Sequence, residues 1–325
     1  MWLVSFHGGA KCSTNNVLAY DDGGKELGPA LEVDSSSPAL QELRGLALRG
    51  TSLYVVNGYK ACSQVLVYVP HGTGTYRYDC VYASGAELTA MLHPYDLTFD
   101  ATGKCYVSNQ DTNVVVGLSG QKAPLPTPPS LPEGVLSATI VASSIGELSH
   151  VSPAPPDVPE PLGLGVKCID KDGHKVDCAT SGARVKHSVR GVQVYENFLC
   201  VADEAAGAVK VYDLGTGELA GQIAGGLLES PVQLLLQGSR LYIGGGSAVT
   251  SYDLSQGFPP STVAPEKYRK DLDEVSGIAF DPGGTFYAAE RSAKTILKFS
   301  HKDSTGKPFI TGLCDEPEFI LYVPD

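Results

Sequence analysis

Short apolar runs alternate with polar turns along the chain, and one stretch shows the pattern most clearly. From His93 to Val116 the sequence reads HPYDLTFDATGKCYVSNQDTNVVV. An apolar run with Leu97 and Phe99 is followed by the turn signal Asp-Ala-Thr-Gly and then by Cys-Tyr-Val. A polar loop leads to a third run of β-branched residues that begins at Val114. This pattern predicts three short strands joined by turns.

The same pattern recurs at regular intervals. Val275 to Phe299 repeats it closely, and looser copies begin at Arg44, Val189 and Pro231. Alignment on the third residue of each first strand gives these equivalents: Gly45, Asp96, Gly191, Gln233, Gly277 and Phe319. Most of the intervals are 42 to 51 residues, and the one from Asp96 to Gly191 is 95. A period of about 40 to 50 residues with three or four strands per unit is typical of a β-propeller.

The two chain ends complete this arrangement. Trp2 to Phe6 has the pattern of a second strand with no first strand before it, whereas Pro317 to Val323 has that of a first strand with nothing after it. The sequence therefore predicts an all-β protein, a six-bladed β-propeller formed by residues 1–325 as a single domain. The C-terminal strand would join the N-terminal blade and remove two free sheet edges.

Two irregular stretches interrupt the third interval, at about 119–134 and 148–186, and both contain many prolines. Long insertions in a propeller lie on one face of the ring. Their function there is either that of a lid or partner surface, or that of a passive extended cover. Both alternatives remain open from the sequence.

The composition of the chain argues against some classes of binding partner. The chain has 325 residues and a net charge of −12, with no cluster of Lys or Arg, so nucleic acid is not expected as a partner. It has no apolar stretch long enough for a membrane span, so no membrane association is expected. We expect a monomer that binds a small-molecule ligand or substrate in the central channel.

The positions of the eight cysteines help to predict the cellular compartment of the protein. Cys12 and Cys62 each lie five residues beyond equivalent strand ends, and we predict a disulfide between them. Such a bond favours a secreted or periplasmic protein. Cys105 and Cys200 occupy equivalent strand positions that suit buried thiols. A cytoplasmic protein is the alternative.

The common short motifs of nucleotide binding and hydrolysis are absent, so candidate residues must come from equivalent positions around the ring. The residues before the first strands are Glu42, His93, Ser188, Ser230, Glu274 and Glu316. The residues that end the second strands are His7, Asn57, Asn109, Asp203, Gly245 and Glu290.

These two rings contain the ligand types of a divalent cation, Ca or Zn. The predicted metal ligands are His7, His93, Glu42, Glu274, Glu290 and Glu316. No organic cofactor is expected. For Asn57, Asn109 and Asp203 the competing interpretation is that their side chains cap turns by bonding to the backbone.

A third ring lies one step along the first strands and consists of Arg44, Tyr95, Arg190, Val232, Ser276 and Glu318. Arg44 and Arg190 are predicted catalytic-site residues because a guanidinium suits a carboxylate or phosphate of the substrate. Alternatively, they pair with Glu42, Glu318 or Glu274 and only neutralise the acidic lining.

At Val275 to Phe299 and His93 to Val116 the sequence resembles NHL-type repeats, which imply a β-propeller. That superfamily includes peptidyl-hydroxyglycine amidating lyase, gluconolactonase-like and strictosidine-synthase-like enzymes, and virginiamycin B lyase. HPYDLTFD and NGYKACSQVLVY are similar to lyase segments that carry a metal-binding His and a catalytic Tyr. The resemblance implies that His93 binds metal and Tyr59 acts as a base, although the three axial histidines of the lyase are not all matched.

The sequence thus favours a small-molecule enzyme, a metal-assisted lyase or hydrolase that acts at the mouth of the channel, with Tyr59, His93, Arg44 and Arg190 as its catalytic residues. The alternative is a non-catalytic binding propeller that uses the Pro-rich insertion as its interaction surface.

Overall fold

The computed structural model describes residues 1–8, 15–59, 61–119, 137–142, 168–169, 175–176, 184–185, 189–224, 226–258, 266–300 and 305–324. Apart from one short 3-10 helix at Leu254–Gln256, the regular elements of these residues are all β-strands. None of the described helical structure is long and apolar enough to cross a membrane.

The strands form six blades around a central axis, which confirms the predicted six-bladed β-propeller. The first blade contains β1 (Trp2–Phe6), β2 (Val17–Tyr20) and β3 (Glu26–Pro29). The second contains β4 (Leu31–Glu32), β5 (Leu43–Arg49), β6 (Ser52–Asn57), β7 (Gln64–Gly72) and β8 (Thr75–Ser84). The third contains β9 (Pro94–Phe99), β10 (Cys105–Asn109), β11 (Val114–Ser119) and β12 (Ser137–Ala142).

A small sheet of three two-residue strands follows, formed by β13 (Cys168–Ile169), β14 (Lys175–Val176) and β15 (Arg184–Val185). The fourth blade contains β16 (Val189–Tyr195), β17 (Phe198–Asp203), β18 (Ala208–Asp213) and β19 (Leu219–Ile223). The fifth contains β20 (Pro231–Gln237), β21 (Arg240–Gly245), β22 (Ala248–Asp253) and β23 (Glu266–Arg269). The sixth contains β24 (Val275–Phe280), β25 (Phe286–Glu290), β26 (Thr295–Phe299) and β27 (Lys307–Ile310), and β28 (Pro317–Tyr322) ends the chain.

The Asp-x-x-Gly turns between first and second strands are held by their aspartate. In the third blade the Asp100 carboxylate accepts hydrogen bonds from the backbone of Thr102 and Lys104, at 2.8 and 3.0 Å. Gly103 in this turn has φ of +87°, a conformation that glycine adopts without steric cost. Asp281 binds the backbone of its own turn in the sixth blade in the same way. In these two blades the turn therefore fixes where the second strand begins.

The ring closes through the two ends of the chain. Strand β28 pairs antiparallel with β1, with Trp2 opposite Tyr322 and Val4 opposite Ile320. The indole ring of Trp2 packs on the ring of Tyr287 from the sixth blade, with centroids 4.1 Å apart. This pairing completes a four-stranded first blade in the order β28-β1-β2-β3, as the sequence predicted.

Apolar side chains from facing sheets form clusters between neighbouring blades. One such cluster joins Val56 and Val67 of the second blade to Leu97 and Val107 of the third. These side chains alternate along their strands with residues of the opposite sheet face. The core is therefore distributed around the ring, and the axis is left to the first strands.

The predicted insertions and the predicted disulfide can be compared with the structure only in part. Most of the two predicted insertions lies outside the described residues, as does Cys12. Cys62 has a free thiol, so the structure does not support the predicted disulfide between Cys12 and Cys62. Cys105 and Cys200 are buried free thiols, as expected from their strand positions.

We predict that deletion of Glu316 to Asp325 abolishes cooperative unfolding, because it removes β28 and exposes edges of the first blade. Circular dichroism during urea denaturation would show a broad transition or aggregation. The control is deletion of Pro324 and Asp325 alone, which leaves the pairing of β28 with β1 intact. A protein lacking β28 that unfolds with the same midpoint and slope as the full chain would contradict this account of closure.

Candidate functional site

Every innermost strand contains one extra residue near the same end of the channel. In the second blade Leu43 lies opposite Asn57 and Leu46 opposite Val55, so β5 advances three residues where β6 advances two. Corresponding register shifts occur in the other five blades. A β-bulge of this kind redirects a side chain away from the regular alternation. The residues within the bulges include Arg44, Tyr95, Arg190, Val232, Ser276 and Glu318.

All six of these bulge residues, one from each blade, line a polar cavity of about 590 Å³ at the channel mouth. They are the third ring identified by aligning the repeats. His7, Gln110, Glu204 and Arg291 also line this cavity. We call it the mouth cavity.

A buried carboxylate connects two arginines at the mouth cavity. Glu318 is only 1 % exposed, and its Oε1 lies 3.0 Å from Nη1 of Arg44 and 3.0 Å from Nη2 of Arg291. Arg291 also contacts Glu316 through Nε at 2.9 Å. Removal of one member of such a buried network leaves an uncompensated charge, which typically costs about 3–5 kcal/mol. The carboxylate therefore holds both guanidinium groups in place.

The ring of Tyr95 lies between the guanidinium groups of two arginines. Its ring centroid is 5.5 Å from Cζ of Arg44 and 5.4 Å from Cζ of Arg190. Arg190 also forms a salt bridge with Glu204. Thus Arg44 pairs with Glu318 and Glu42, and Arg190 pairs with Glu204 rather than with any acid proposed from the sequence. Both arginines nevertheless line the mouth cavity, so the ligand-binding role proposed for them stays a prediction.

His7 is the candidate base of the mouth cavity. Its Nε2 lies 3.5 Å from Nη2 of Arg44. Burial lowers the pKa of His7, and the positive charge of Arg44 lowers it further. Because a histidine with a lowered pKa is neutral at pH 7, the imidazole is available to accept a proton.

The other polar residues that end second strands bind backbone instead. Asn57 accepts a hydrogen bond from the backbone N–H of Gln41 at 2.8 Å, and Asp203 accepts one from Ala206 at 3.0 Å. Asn109 donates to the carbonyl oxygen of Val107 at 2.8 Å. The interpretation that these side chains bond backbone N–H groups is therefore confirmed for Asn57 and Asp203, whereas Asn109 binds a backbone carbonyl oxygen.

His93 lies beside the mouth cavity but is not among its lining residues. Its Nδ1 is 3.2 Å from Asp111 and its Nε2 is 3.3 Å from Glu42. Glu42 in turn contacts Arg44 at 3.4 Å, and its pKa is lowered chiefly by the hydrogen bond to His93. His93 is thus connected to Arg44 of the mouth cavity through Glu42.

Of the remaining predicted metal ligands, Glu274 lines the mouth cavity and Glu290 does not. Glu274 accepts a hydrogen bond from Ser292 at 2.6 Å, and Glu290 accepts one from the backbone of Asp273 at 3.0 Å. Among the described residues, no group of three or more His, Cys, Asp or Glu side chains is placed to hold a metal ion. Binding of Ca or Zn by the predicted ligands stays a prediction. Tyr59, the predicted base, is 40 % exposed and does not line the mouth cavity.

The sequence reasoning missed several lining residues, and three of those with polar side chains share one position. Gln110, Glu204 and Arg291 each follow directly the last residue of a second strand. Gly246 of the fifth blade occupies the same position and also lines the cavity. Alignment of the residue that follows each second strand would therefore have identified these lining residues.

A narrow waist separates the mouth cavity from a second cavity of about 450 Å³ at the other end of the channel. Glycine alternates with a larger residue here, in the order Gly45, Asp96, Gly191, Gln233, Gly277 and Phe319. A methyl group on Gly45 would lie 2.8 Å from Cα of Asp96, and one on Gly191 would lie 2.7 Å from the carbonyl oxygen of Val232. Only glycine allows first strands to approach this closely.

Polar side chains bridge neighbouring blades at this waist. Oδ2 of Asp96 accepts a hydrogen bond from the backbone of Val192 in the next blade at 3.0 Å. The side-chain oxygen of Gln233 accepts one from the backbone of Ile278 in the same manner. Burial raises the pKa of Asp96 to about 7, against the opposing effect of its hydrogen bonds from Val192 and Leu97.

Comparison with known proteins supports the fold. The sequence matches no protein-family model and no curated protein, so the NHL-type repeat assignment is not confirmed. Among solved structures, a putative 6-phosphogluconolactonase from Bacteroides fragilis is similar over 99 % of this chain and 97 % of its own, with 14 % identity and a TM-score of 0.58.

Two further solved structures are similar at comparable levels. A putative 6-phosphogluconolactonase from Bacteroides uniformis matches 94 % of this chain and 80 % of its own, with 14 % identity and a TM-score of 0.52. A protein from Lactobacillus plantarum matches 99 % of both chains, with 12 % identity and a TM-score of 0.53. At these identities the likeness establishes a shared propeller fold and leaves function to the site.

We predict that Asp96→Asn removes a pH dependence of stability. A folded pKa near 7 lies above the ordinary value of 3.8, so the stabilisation is present at acidic pH and is lost as the pH rises through 7. Relative to the variant, the wild type should lose about 1–3 kcal/mol of unfolding free energy between pH 4.5 and 8. Urea denaturation at several pH values measures this difference.

Gln233→Ala is the matched control, because it removes the equivalent bridge without removing an ionisable group. Its cost in unfolding free energy should be the same at every pH. Parallel pH profiles for the wild type and Asp96→Asn would contradict the account.

Proposed function

We propose that this protein is a hydrolase that opens small anionic esters or lactones in the mouth cavity. The observation that carries the proposal is the contact of a neutral, half-buried His7 with Arg44 in a cavity also lined by Arg190 and Arg291. An imidazole that can accept a proton beside several guanidinium groups is suited to activating water next to a bound anion.

Anion recognition in this proposal uses guanidinium N–H groups that the ion pairs leave available. A guanidinium has five N–H donors, and each salt bridge uses one or two of them. Nε of Arg44 is buried and has no hydrogen-bond partner in the described part of the chain. A carboxylate or phosphate in the mouth cavity would take up such donors and offset their desolvation.

The chemistry requires one proton carrier. His7 accepts a proton from water as the water oxygen bonds to the acyl carbon, which gives a tetrahedral intermediate. The acyl–oxygen bond then breaks, and the proton passes from His7 to the departing alkoxide. The products are an alcohol and a carboxylic acid, which releases its proton to the solvent and becomes a carboxylate. For a lactone both groups are on one molecule. General-base catalysis of this kind typically contributes about 10²–10⁴-fold to the rate.

The names of the similar structures support the same class of reaction, which is hydrolysis. Two of the solved propellers are named as lactonases of a phosphorylated sugar acid, a substrate that combines a lactone with an anionic group. Hydrolysis therefore has more support than a lyase reaction. The described residues offer no observation in favour of the Pro-rich insertion as an interaction surface, because that stretch lies outside them.

The proposal predicts a preference for charged substrates. Purified protein should hydrolyse mono-4-nitrophenyl succinate at least tenfold faster, in kcat/KM, than the neutral 4-nitrophenyl butyrate. 6-Phosphoglucono-1,5-lactone and glucono-1,5-lactone provide a second matched pair, followed by proton release. Parallel assays after EDTA treatment test the metal requirement expected from the sequence. Equal rates for the charged and neutral members of both pairs would contradict recognition by arginine.

His7→Gln should lower kcat about 10²–10⁴-fold, because it removes the proton acceptor. In the wild type kcat/KM should fall as the pH drops below 6.5, since the pKa of His7 is lowered from that value and its protonation abolishes the base. His71→Gln is the control, because His71 is exposed and pairs with Glu32 away from the mouth. Retention of full activity by His7→Gln would refute the assignment of His7.

A further inference from the structure

We infer that Tyr95 is a catalytic residue whose hydroxyl donates a hydrogen bond to the substrate carbonyl oxygen as that oxygen becomes negatively charged. The inference rests on the proposed hydrolase function and adds a residue that the proposal does not use. It starts from the place of Tyr95 within a bulge of β9, where the register shift aims a residue of the third blade at the mouth cavity.

The hydroxyl group of Tyr95 is available to a ligand in the mouth cavity. The residue is only 4 % exposed, and the described residues supply no hydrogen-bond partner for its hydroxyl. By contrast, the hydroxyl groups of Tyr106 and Tyr287 each donate to the aspartate of a turn, at 3.0 and 3.2 Å. A buried hydroxyl usually has a partner. Because the Tyr95 side chain lines a polar cavity, a ligand in that cavity can supply the partner.

Two other buried tyrosines have unpartnered hydroxyl groups but no access to the mouth cavity. Tyr68 and Tyr82 are buried with unpartnered hydroxyl groups, but both belong to apolar clusters between blades and neither lines the mouth cavity. Tyr95 differs because it lines the polar mouth cavity, with Arg44 and Arg190 next to its ring. It therefore combines a free donor with access to the reacting group.

The charges around Tyr95 favour an oxyanion at this point. Arg44 and Arg190 both lie within 5.5 Å of its ring centroid, so two positive charges are close to the place where negative charge would develop. Arg44 also contacts His7 at 3.5 Å. The imidazole of the proposed base and the ring of the proposed donor therefore both lie next to Arg44, in the cavity that both residues line.

Tyr95 remains protonated at neutral pH. Burial raises its pKa, and the nearby carboxylate of Glu318 raises it further, whereas Arg190, Arg44 and Arg291 oppose the change without reversing it. A phenol in this state is a hydrogen-bond donor and not a base. It therefore complements His7, which is neutral and accepts a proton.

The step balances without transfer of the phenolic proton. The water oxygen bonds to the acyl carbon, its proton goes to His7, and the carbonyl π electrons move to the oxygen that accepts the hydrogen bond from Tyr95. When the acyl–oxygen bond breaks, those electrons re-form the carbonyl and the alkoxide takes the proton from His7. The phenol is unchanged at the end of the cycle.

The test is Tyr95→Phe in the full-length protein, with mono-4-nitrophenyl succinate as substrate. The change keeps the ring between Arg44 and Arg190 and removes only the donor. We expect kcat to fall about 10²–10³-fold, the effect typical of losing one oxyanion donor, with KM changed less than about threefold. The pH at which kcat/KM falls on the acid side should not move, because it reports His7. Tyr82→Phe is the matched control and should keep wild-type kcat.

A binding measurement separates catalysis from packing. Calorimetry compares succinate with a phosphonate analogue of the same ester, whose tetrahedral oxygens mimic the intermediate. Tyr95→Phe should lose about 10- to 100-fold in affinity for the phosphonate and keep its affinity for succinate. An active wild type with unchanged kcat and unchanged phosphonate affinity in Tyr95→Phe overturns the role of Tyr95 alone. A wild type that hydrolyses none of the four substrates overturns the proposed function and this inference together.

Discussion

The pairing of the last strand with the first is the interaction on which both the ring and its site depend. Strand β28 fills the innermost place of the first blade, and the same strand carries Glu318. That carboxylate is buried between Arg44 from the second blade and Arg291 from the sixth. Closure therefore does more than cover sheet edges. It brings the buried counter-charge that two guanidinium groups at the channel share.

The charges at the mouth are stable because they are arranged as alternating pairs. Arg44 lies between Glu42 and Glu318, and Arg291 lies between Glu318 and Glu316. Each ion loses hydration on burial, and only an opposite charge with good geometry offsets that loss. A network of this kind fixes side chains in advance of binding. An incoming anion therefore meets donors that are already oriented, which reduces the entropy lost on binding.

The repeat explains which parts of this arrangement could be predicted. A propeller imposes one register on every blade, so aligning six first strands was enough to identify Arg44, Tyr95 and Arg190 as channel residues. The same alignment grouped His7 with Asn57, although the two side chains serve different purposes. One lines the cavity and the other holds backbone. Periodicity gives the position of a side chain, whereas its direction depends on local hydrogen bonds that a pattern does not contain.

The partners of a side chain are also not specified by the repeat when they lie in loops. His93 has the residue type and ring position of a ligand, but Asp111 and Glu42 bind both of its ring nitrogens. Asp111 lies beyond the second strand of the same blade, in a loop whose path no repeat specifies. Within the described part of the chain the Tyr95 hydroxyl has no such partner, and so it is left to the cavity. The chemistry of the mouth is therefore decided less by which polar residues reach it than by which of them the surrounding loops leave unbound.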